Sequence, residues 1–208
     1  MSKLALGIFA SGRGSNFQAV LKAIQEKRLD AEIRLLLSNN ADAGAITTAN
    51  ENNIPVTVIS SRDFSSRHLF VDAMLSVLNQ HGVQLITLAG YMKKIPTEII
   101  SAYRNRIVNI HPALLPSFGG KGMYGHHVHE AVMEQGCKVT GVTVHVVDEV
   151  YDHGPIVAQR CVPVEENDTA ETLAARVLKV EHQLYPEVLQ LFASGRVEIK
   201  ERRAIVHS

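Results

Sequence analysis

Asn109 and His111 stand two residues apart at the end of the apolar run Ile107–Ile110, with Pro112 directly after them. In a strand, residues i and i+2 share a face, so this spacing sends the amide and the imidazole to one side and Ile110 to the other. A hydrogen-bond donor and a proton carrier then converge on one point. Pro112 and Pro116 stiffen the exit of the strand, so both groups are held by backbone constraint. Taken alone, the histidine also reads as a hydrogen-bonded core residue. A carboxylate beside it would raise its pKa and let it order a water or shuttle a proton. The segment Asp148-Glu149-Val150-Tyr151-Asp152-His153-Gly154-Pro155 supplies three acids, and spacing does not choose among Asp148, Glu149 and Asp152.

A second constellation is Ala10-Ser11-Gly12-Arg13-Gly14-Ser15-Asn16, between an apolar strand and an amphipathic helix. A loop in that position turns several backbone N–H groups toward one point and adds the partial positive charge of a helix N-terminus, which suits a phosphate. Glycine permits the close approach. A dinucleotide fingerprint needs another glycine in the Asn16-Phe17 stretch and a P-loop needs Gly-Lys-Ser/Thr, so a mononucleotide phosphate fits better. The alternative is a plain tight turn with Ser15 as the helix cap. His126-His127-Val128-His129 lacks a defined ligand set, so no metal is expected there. Cys137 and Cys161 are too few for a disulfide framework and read as buried or idle thiols.

The elements that must position these groups follow from the apolar pattern. Runs at Leu4–Ala10, Ile33–Ser38, Val56–Ile59, Leu85–Ala89 and Ile107–Ile110 alternate with amphipathic stretches at Asn16–Glu26, Ala43–Asn52, Ser66–His81 and Thr97–Tyr103. That alternation predicts parallel strands joined by crossover helices, an α/β fold with a doubly wound, mostly parallel sheet. Two longer strands, Val139–Val147 and Ile156–Val164, flank the acidic turn, and a helix over Thr169–Ala193 precedes a short strand tail. The 208 residues, 46% of them hydrophobic, suffice for one core, and no linker or repeat divides them, so a single domain over 1–208 is expected. Lys+Arg and Asp+Glu both number 21, so no basic excess points to nucleic acid or an anionic membrane surface, and any anion must be held locally. The apolar start lacks a convincing cleavage site and no run is long enough to span a bilayer, which predicts a soluble cytoplasmic protein.

Over nearly its whole length the chain resembles the glycinamide ribonucleotide formyltransferase family. The resemblance rests on Ser11-Gly12-Arg13-Gly14-Ser15-Asn16, Phe64-Ser65-Ser66-Arg67, Leu88-Ala89-Gly90-Tyr91-Met92, Asn109-Ile110-His111-Pro112, Asp152-His153-Gly154-Pro155 and Glu181-His182-Gln183-Leu184-Tyr185-Pro186, in the family's order. It implies a Rossmann-like formyltransferase fold, a nucleotide-binding half at 1–110 and a folate-binding half at 111–208. It implies transfer of the formyl group of the co-substrate 10-formyltetrahydrofolate to the amine of glycinamide ribonucleotide in purine synthesis, without a metal. Asn109, His111 and Asp152 become the catalytic trio. Asn109 and an imidazolium form of His111 would stabilise an oxyanion, with Asp152 holding His111 charged. Arg13, Gly14, Ser15 and Asn16 would hold the substrate phosphate and Glu181 the ribose hydroxyls. Met92, Lys93, Ile95, Val147, Asp148 and Glu149 would line the folate pocket, with Arg67 near the formyl group or the folate tail. Partners would be these small molecules only, bound by a monomer or homodimer.

Three positions depart from the family pattern: Lys93 where bacterial relatives often carry arginine, His153 where a small residue is usual, and a longer loop over Ser117–Gly125. The Asn-x-His and Asp-x-Gly-Pro pair is shared with methionyl-tRNA formyltransferases and formyltetrahydrofolate hydrolases, whereas the Gly14-Ser15-Asn16 loop specifies the ribonucleotide and is lacking in sugar-nucleotide formyltransferases. The hydrolase would normally carry a regulatory domain before this one and the tRNA enzyme an RNA-binding domain after it, and the chain is expected to have neither. The rival outside catalysis is an inactive nucleotide-binding module.

Overall fold

Apolar side chains alternate along each early strand and supply two faces at once, so these strands must be covered on both sides. The computed structural model describes residues 3–208; Met1 and Ser2, at the head of the expected 1–110 half, lie outside the described residues. Strands β1 (Leu4–Phe9), β2 (Ala31–Ser38), β3 (Val56–Val58), β4 (Leu85–Leu88), β5 (Ile107–His111), β6 (Val139–Val146) and β7 (Ile156–Pro163) form one seven-stranded sheet in the order β3-β2-β1-β4-β5-β6-β7. The first five are mutually parallel, and β6 and β7 run antiparallel.

Helices α1 (Ser15–Gln25), α2 (Gly44–Glu51), α5 (His126–Glu134) and α6 (Ala170–Ala193) cover one face, where Phe17, Val20, Ala45, Val132 and Leu189 meet Leu6, Ile8, Val108 and Ile110. Helices α3 (Arg67–Gln80) and α4 (Thr97–Ala102) cover the other, where Met74, Leu78 and Ile99 meet Phe9, Leu35, Leu37 and Ile107. The chain leaves β1 toward β2 on one side and returns to β4 on the other, so a crevice opens beyond the carboxyl ends of β1 and β4, where doubly wound sheets bind ligands. Ser11 N–H donates to the Gly90 carbonyl across it at 3.0 Å.

Helix α6 is anchored under this crevice. Tyr185 is fully buried, and its hydroxyl lies 2.8 Å from the Leu88 carbonyl oxygen and 2.9 Å from that of Val108, joining the helix to β4 and β5. The helix opens on a reciprocal cap, in which the Thr169 hydroxyl accepts from Thr172 N–H while the Thr172 hydroxyl accepts from Thr169 N–H. Two elements differ from the sequence expectation. The His126–His129 run opens α5, because Val128 and Val132 at helical spacing bury one face that the histidines obscure in the sequence. The expected single strand tail is a hairpin of β8 (Val197–Lys200) and β9 (Arg203–Val206), turned at Glu201 and Arg202 with Glu201 at φ 54°.

Candidate active site

The glycine loop ends on Gly14, which adopts the left-handed conformation (φ 76°, ψ 32°) and caps α1, so Ser15 is the first helical residue and not the cap that the plain-turn alternative made it. The position admits only glycine: the sign of φ disfavours other residues, and a Cβ would come within 2.8 Å of the Ala45 Cβ. No side chain caps this helix, so its first-turn amides keep no side-chain acceptor, at the carboxyl end of β1 where the helix begins. Asn16 is buried one residue further on. Its Nδ2 donates to Glu181 Oε2 at 2.6 Å, while its Oδ1 is buried without a partner. Burial pushes the Glu181 carboxyl above its ordinary value, against the pull of the Asn16 amide.

Asn109 and His111 do share a face, opposite Val108 and Ile110. His111 is buried, with Nε2 2.8 Å from the Phe118 carbonyl oxygen and Nδ1 3.8 Å from Asp152 Oδ2. A carbonyl only accepts, so Nε2 carries a proton and Nδ1 is the nitrogen that can gain one. Asp152 is the acid that meets His111, which settles the geometric ambiguity among the three. It sits at φ 52°, a strained backbone for a residue other than glycine, and its Oδ2 also accepts from Gly120 N–H at 2.9 Å. The expected net rise in the His111 pKa is not found. Burial, the largest influence, lowers the imidazole and the neighbouring His145 adds to it, while Asp152 and the Phe118 carbonyl raise it, and the balance falls below the ordinary histidine value. Burial pushes Asp152 up, but the neighbouring His145 and His111 rings when protonated, with the Gly120 N–H, bring it below the ordinary aspartate value.

His145 is a residue the sequence reading missed. It pairs in register with Asn109, its Nε2 lying 3.1 Å from Asn109 Nδ2 and 3.7 Å from Asp152 Oδ1. Its Nδ1 lies 3.0 Å from the Val146 carbonyl oxygen and therefore donates, leaving Nε2 to accept from the Asn109 amide. The available signal was Thr143 and His145 alternating with Val142, Val144 and Val146 along the strand.

These groups line a cavity of about 430 Å³ together with Met92, Lys93, Ile95, Val147, Asp148 and Asp152, and with Met123 and Tyr124 from the long loop. Asp148 is engaged at both oxygens, by Val150 N–H at 2.9 Å and by His153 Nδ1 at 2.7 Å. Glu149 is not brought to the cavity. It pairs with Arg104 at 3.2 Å on the exposed side of the loop, because its neighbour Asp148 already takes the inward position. Arg67 is also separated from His111: it lines an adjoining cavity of about 700 Å³ that shares Lys93 and Ile95, and its guanidinium grips Glu98 at 3.0 and 2.8 Å. That pairing holds the Glu98 carboxyl down at about 2. The α5 histidines diverge: His126 meets Glu130 and Glu171 at 3.5 Å each, His127 packs edge-on against Tyr124, and His129 is buried. Cys137 and Cys161 are both free thiols, and neither is buried as one reading of the sequence had it: Cys137 is half-buried and Cys161 exposed. No helix among the described residues is long and apolar enough to cross a membrane.

Residues 4–189 match the formyl transferase family. The chloroplastic phosphoribosylglycinamide formyltransferase of Vigna unguiculata is 45% identical over 192 residues, 92% of this chain and 62% of that protein. The phosphoribosylglycinamide formyltransferase of Bacillus subtilis is 40% identical over 190 residues, 91% of this chain and 94% of that one. The crystal structure of glycinamide ribonucleotide transformylase 1 from Symbiobacterium toebii superposes with a TM-score of 0.93 at 38% identity, covering all of this chain and 95% of the other. The chain belongs to the formyl transferase family, among its phosphoribosylglycinamide formyltransferases.

Proposed function

We propose that this protein transfers the formyl group of 10-formyltetrahydrofolate to the amine of glycinamide ribonucleotide, in the cytoplasm, acting on these two small molecules and on no nucleic acid. The observation that carries the reading is the convergence of Asn109, His111 and Asp152 on one cavity, beside Gly90 and Met92, to which Ser11 of the loop before α1 is hydrogen-bonded. Formyl folate supplies a formyl carbon bonded to a nitrogen that can leave once it is protonated.

The first-turn amides of α1 at Gly14, Ser15 and Asn16, with Arg13 beside them, receive the substrate phosphate. Glu181 receives ribose hydroxyls, which can donate to its carboxyl oxygens. Met92, Lys93, Ile95, Val147 and Asp148 bound the folate ring site, and the adjoining cavity with Arg67 suits an anionic tail. Glu149 has no direct part in this scheme. Under this reading both substrates lie across the boundary between 1–110 and 111–208, since Glu181 faces Asn16 and the cavity takes residues from both segments.

In the resting protein burial keeps His111 neutral near pH 7, so it begins as a base and not as the imidazolium anticipated from sequence. As the amine attacks the formyl carbon, its proton passes to Nδ1 of His111, and the imidazolium so formed lies between the Asp152 carboxylate and the Phe118 carbonyl. Asn109 keeps one N–H on His145 and offers the other to the oxyanion, a donation whose loss costs about 10²–10³ in rate. His111 then returns the proton to the departing folate nitrogen as the C–N bond breaks.

The test is a direct assay of tetrahydrofolate release and formylated product with glycinamide ribonucleotide as acceptor. Folate release without the ribonucleotide would instead indicate the hydrolase reading. No release under either condition would leave the inactive nucleotide-binding module.

A further inference from the structure

Asp152 holds its carboxylate between two imidazoles while its own backbone sits at φ 52°, so something outside the carboxylate must maintain that conformation. The next residue is held at both ring nitrogens. His153 Nδ1 lies 2.7 Å from Asp148 Oδ2, and His153 Nε2 lies 2.6 Å from Arg202 Nη1; Arg202 Nη2 is 3.5 Å from the His153 carbonyl oxygen. Arginine only donates and a carboxylate accepts, so the roles are fixed: Arg202 donates to Nε2, and Nδ1–H donates to Asp148. Neutral His153 satisfies every member of this chain.

Arg202 comes from the hairpin turn between β8 and β9, itself strained at Glu201, and β9 packs against β7, the strand that follows the Asp152 loop. The far side of the loop is fixed by Gly154, where a Cβ would collide with the Val146 carbonyl. We propose that Arg202 and His153 are positioning residues for the proposed transfer: the C-terminal hairpin locks the loop at His153 and thereby holds Asp152 at its distance from His111. The idea rests on the role assigned to Asp152. It gives a purpose to the histidine that stands at 153 and to a hairpin 49 residues away from it in sequence.

The experiment is a double-mutant cycle with a second readout that does not depend on catalysis. Arg202→Ala and His153→Ala should each lower kcat about tenfold, the cost of a small misplacement of a catalytic group, with the ribonucleotide KM unchanged. Together they should cost no more than the larger single effect, and Arg202→Ala should change kcat by less than about twofold in an Asp152→Asn background. Arg202→Lys keeps a donor and should recover most of the loss, and Arg203→Ala, one residue on, should behave as wild type. Independently, His111 should titrate at lower pH in Arg202→Ala than in wild type by NMR, because Asp152 is the carboxylate facing it; His145 and His129 are the other titratable neighbours and carry no negative charge. A normal kcat in folded Arg202→Ala, or an equal loss in the Asp152→Asn background, overturns the proposal. So does an unmoved His111 titration. If the wild type fails to transfer formyl groups, the functional reading falls and the titration still decides whether Arg202 places Asp152.

Discussion

The Asn109 amide nitrogen stands 3.1 Å from Nε2 of His145, its partner in register on the neighbouring strand. Because Nδ1 of His145 is committed to the Val146 carbonyl at 3.0 Å, the ring cannot turn without losing that bond, and the amide is held with it. His145→Leu removes the acceptor and leaves the Asn109 amide free to rotate. We expect kcat to fall by about tenfold or more, since a donor aimed at developing charge acts only when preorganised, with both KM values little changed. Steady-state kinetics on the folded variant would settle it, and an unaltered kcat would mean that Asn109 is oriented without His145.

Asp152 and Glu149 lie three residues apart in one loop yet meet different partners, His111 and Arg104. Asp152→Asn keeps the size and removes the charge that partly offsets burial at His111. The imidazole, already below its ordinary value, must therefore titrate lower still. Turnover should fall by about 10²-fold or more as the imidazolium loses its counter-charge, while both substrates still bind. Glu149→Gln breaks only an exposed pair, worth about 0–1 kcal/mol, and should leave turnover near normal. Turnover of both variants, with the His111 titration followed by NMR, checks the pair; inactivity of Glu149→Gln would reverse the assignment.

How much of this was legible in the sequence depended on the range of each interaction. The period-two alternation through Asn109 and His111 is local, and it correctly put both on one face. The choice of Asp152 over Asp148 and Glu149 is not local, because it depends on where the loop crosses β5 and on Asp148 being taken up by His153 and Val150. His145 was hidden for the same reason, since its meaning comes from a partner 36 residues away. The sign of the His111 shift was misjudged because a pairing can be read from residue types, whereas the depth of burial that outweighs it cannot. Helix α5 was obscured by its histidines, of which His126 and His127 meet Glu130 on a solvated face.

Gly14 combines a positive φ with an Ala45 Cβ that any added Cβ would meet at 2.8 Å, so Gly14→Val strains the turn and reshapes the open amides of α1. The ribonucleotide KM should rise by about tenfold or more, the scale of one lost charged hydrogen bond at about 1.5–3 kcal/mol, while the folate KM stays within about twofold. Circular dichroism must first show a folded protein. An equal rise in both KM values would count against a phosphate at this loop.

Tyr185 presents its hydroxyl to the Leu88 and Val108 carbonyls in a fully buried setting. Tyr185→Phe preserves the ring packing and deletes only the donor. It should lower unfolding free energy by about 1–2 kcal/mol, as expected for a lost buried hydrogen bond, with kcat scarcely altered. Urea denaturation gives the first quantity and the assay the second; a stability loss near zero would mean that the two carbonyls are content with their sheet partners.

Glu181 is the residue at which stability and function should part. Its carboxyl is buried and raised above the ordinary value, so the folded state binds its proton more tightly than the unfolded chain does. The sign follows by linkage: the unfolded state loses this proton first, and stability declines as pH rises from the unfolded value through the raised folded one. Glu181→Gln removes that charge, and its amide can donate to the buried, unpartnered Asn16 Oδ1. The variant should melt higher than wild type by about 2 °C or more at pH 7.5, the shift that roughly 1 kcal/mol gives a chain of this size. The gain should shrink as the pH is lowered toward the ordinary carboxyl range, where wild type also becomes neutral. Ribonucleotide affinity should fall at the same time, because a carboxylate accepts from two ribose hydroxyls and an amide oxygen accepts less strongly. Thermal melts at several pH values and a ribonucleotide titration of the same protein test both halves. A lower melting temperature at pH 7.5 would mean that Glu181 is stabilised by something other than Asn16.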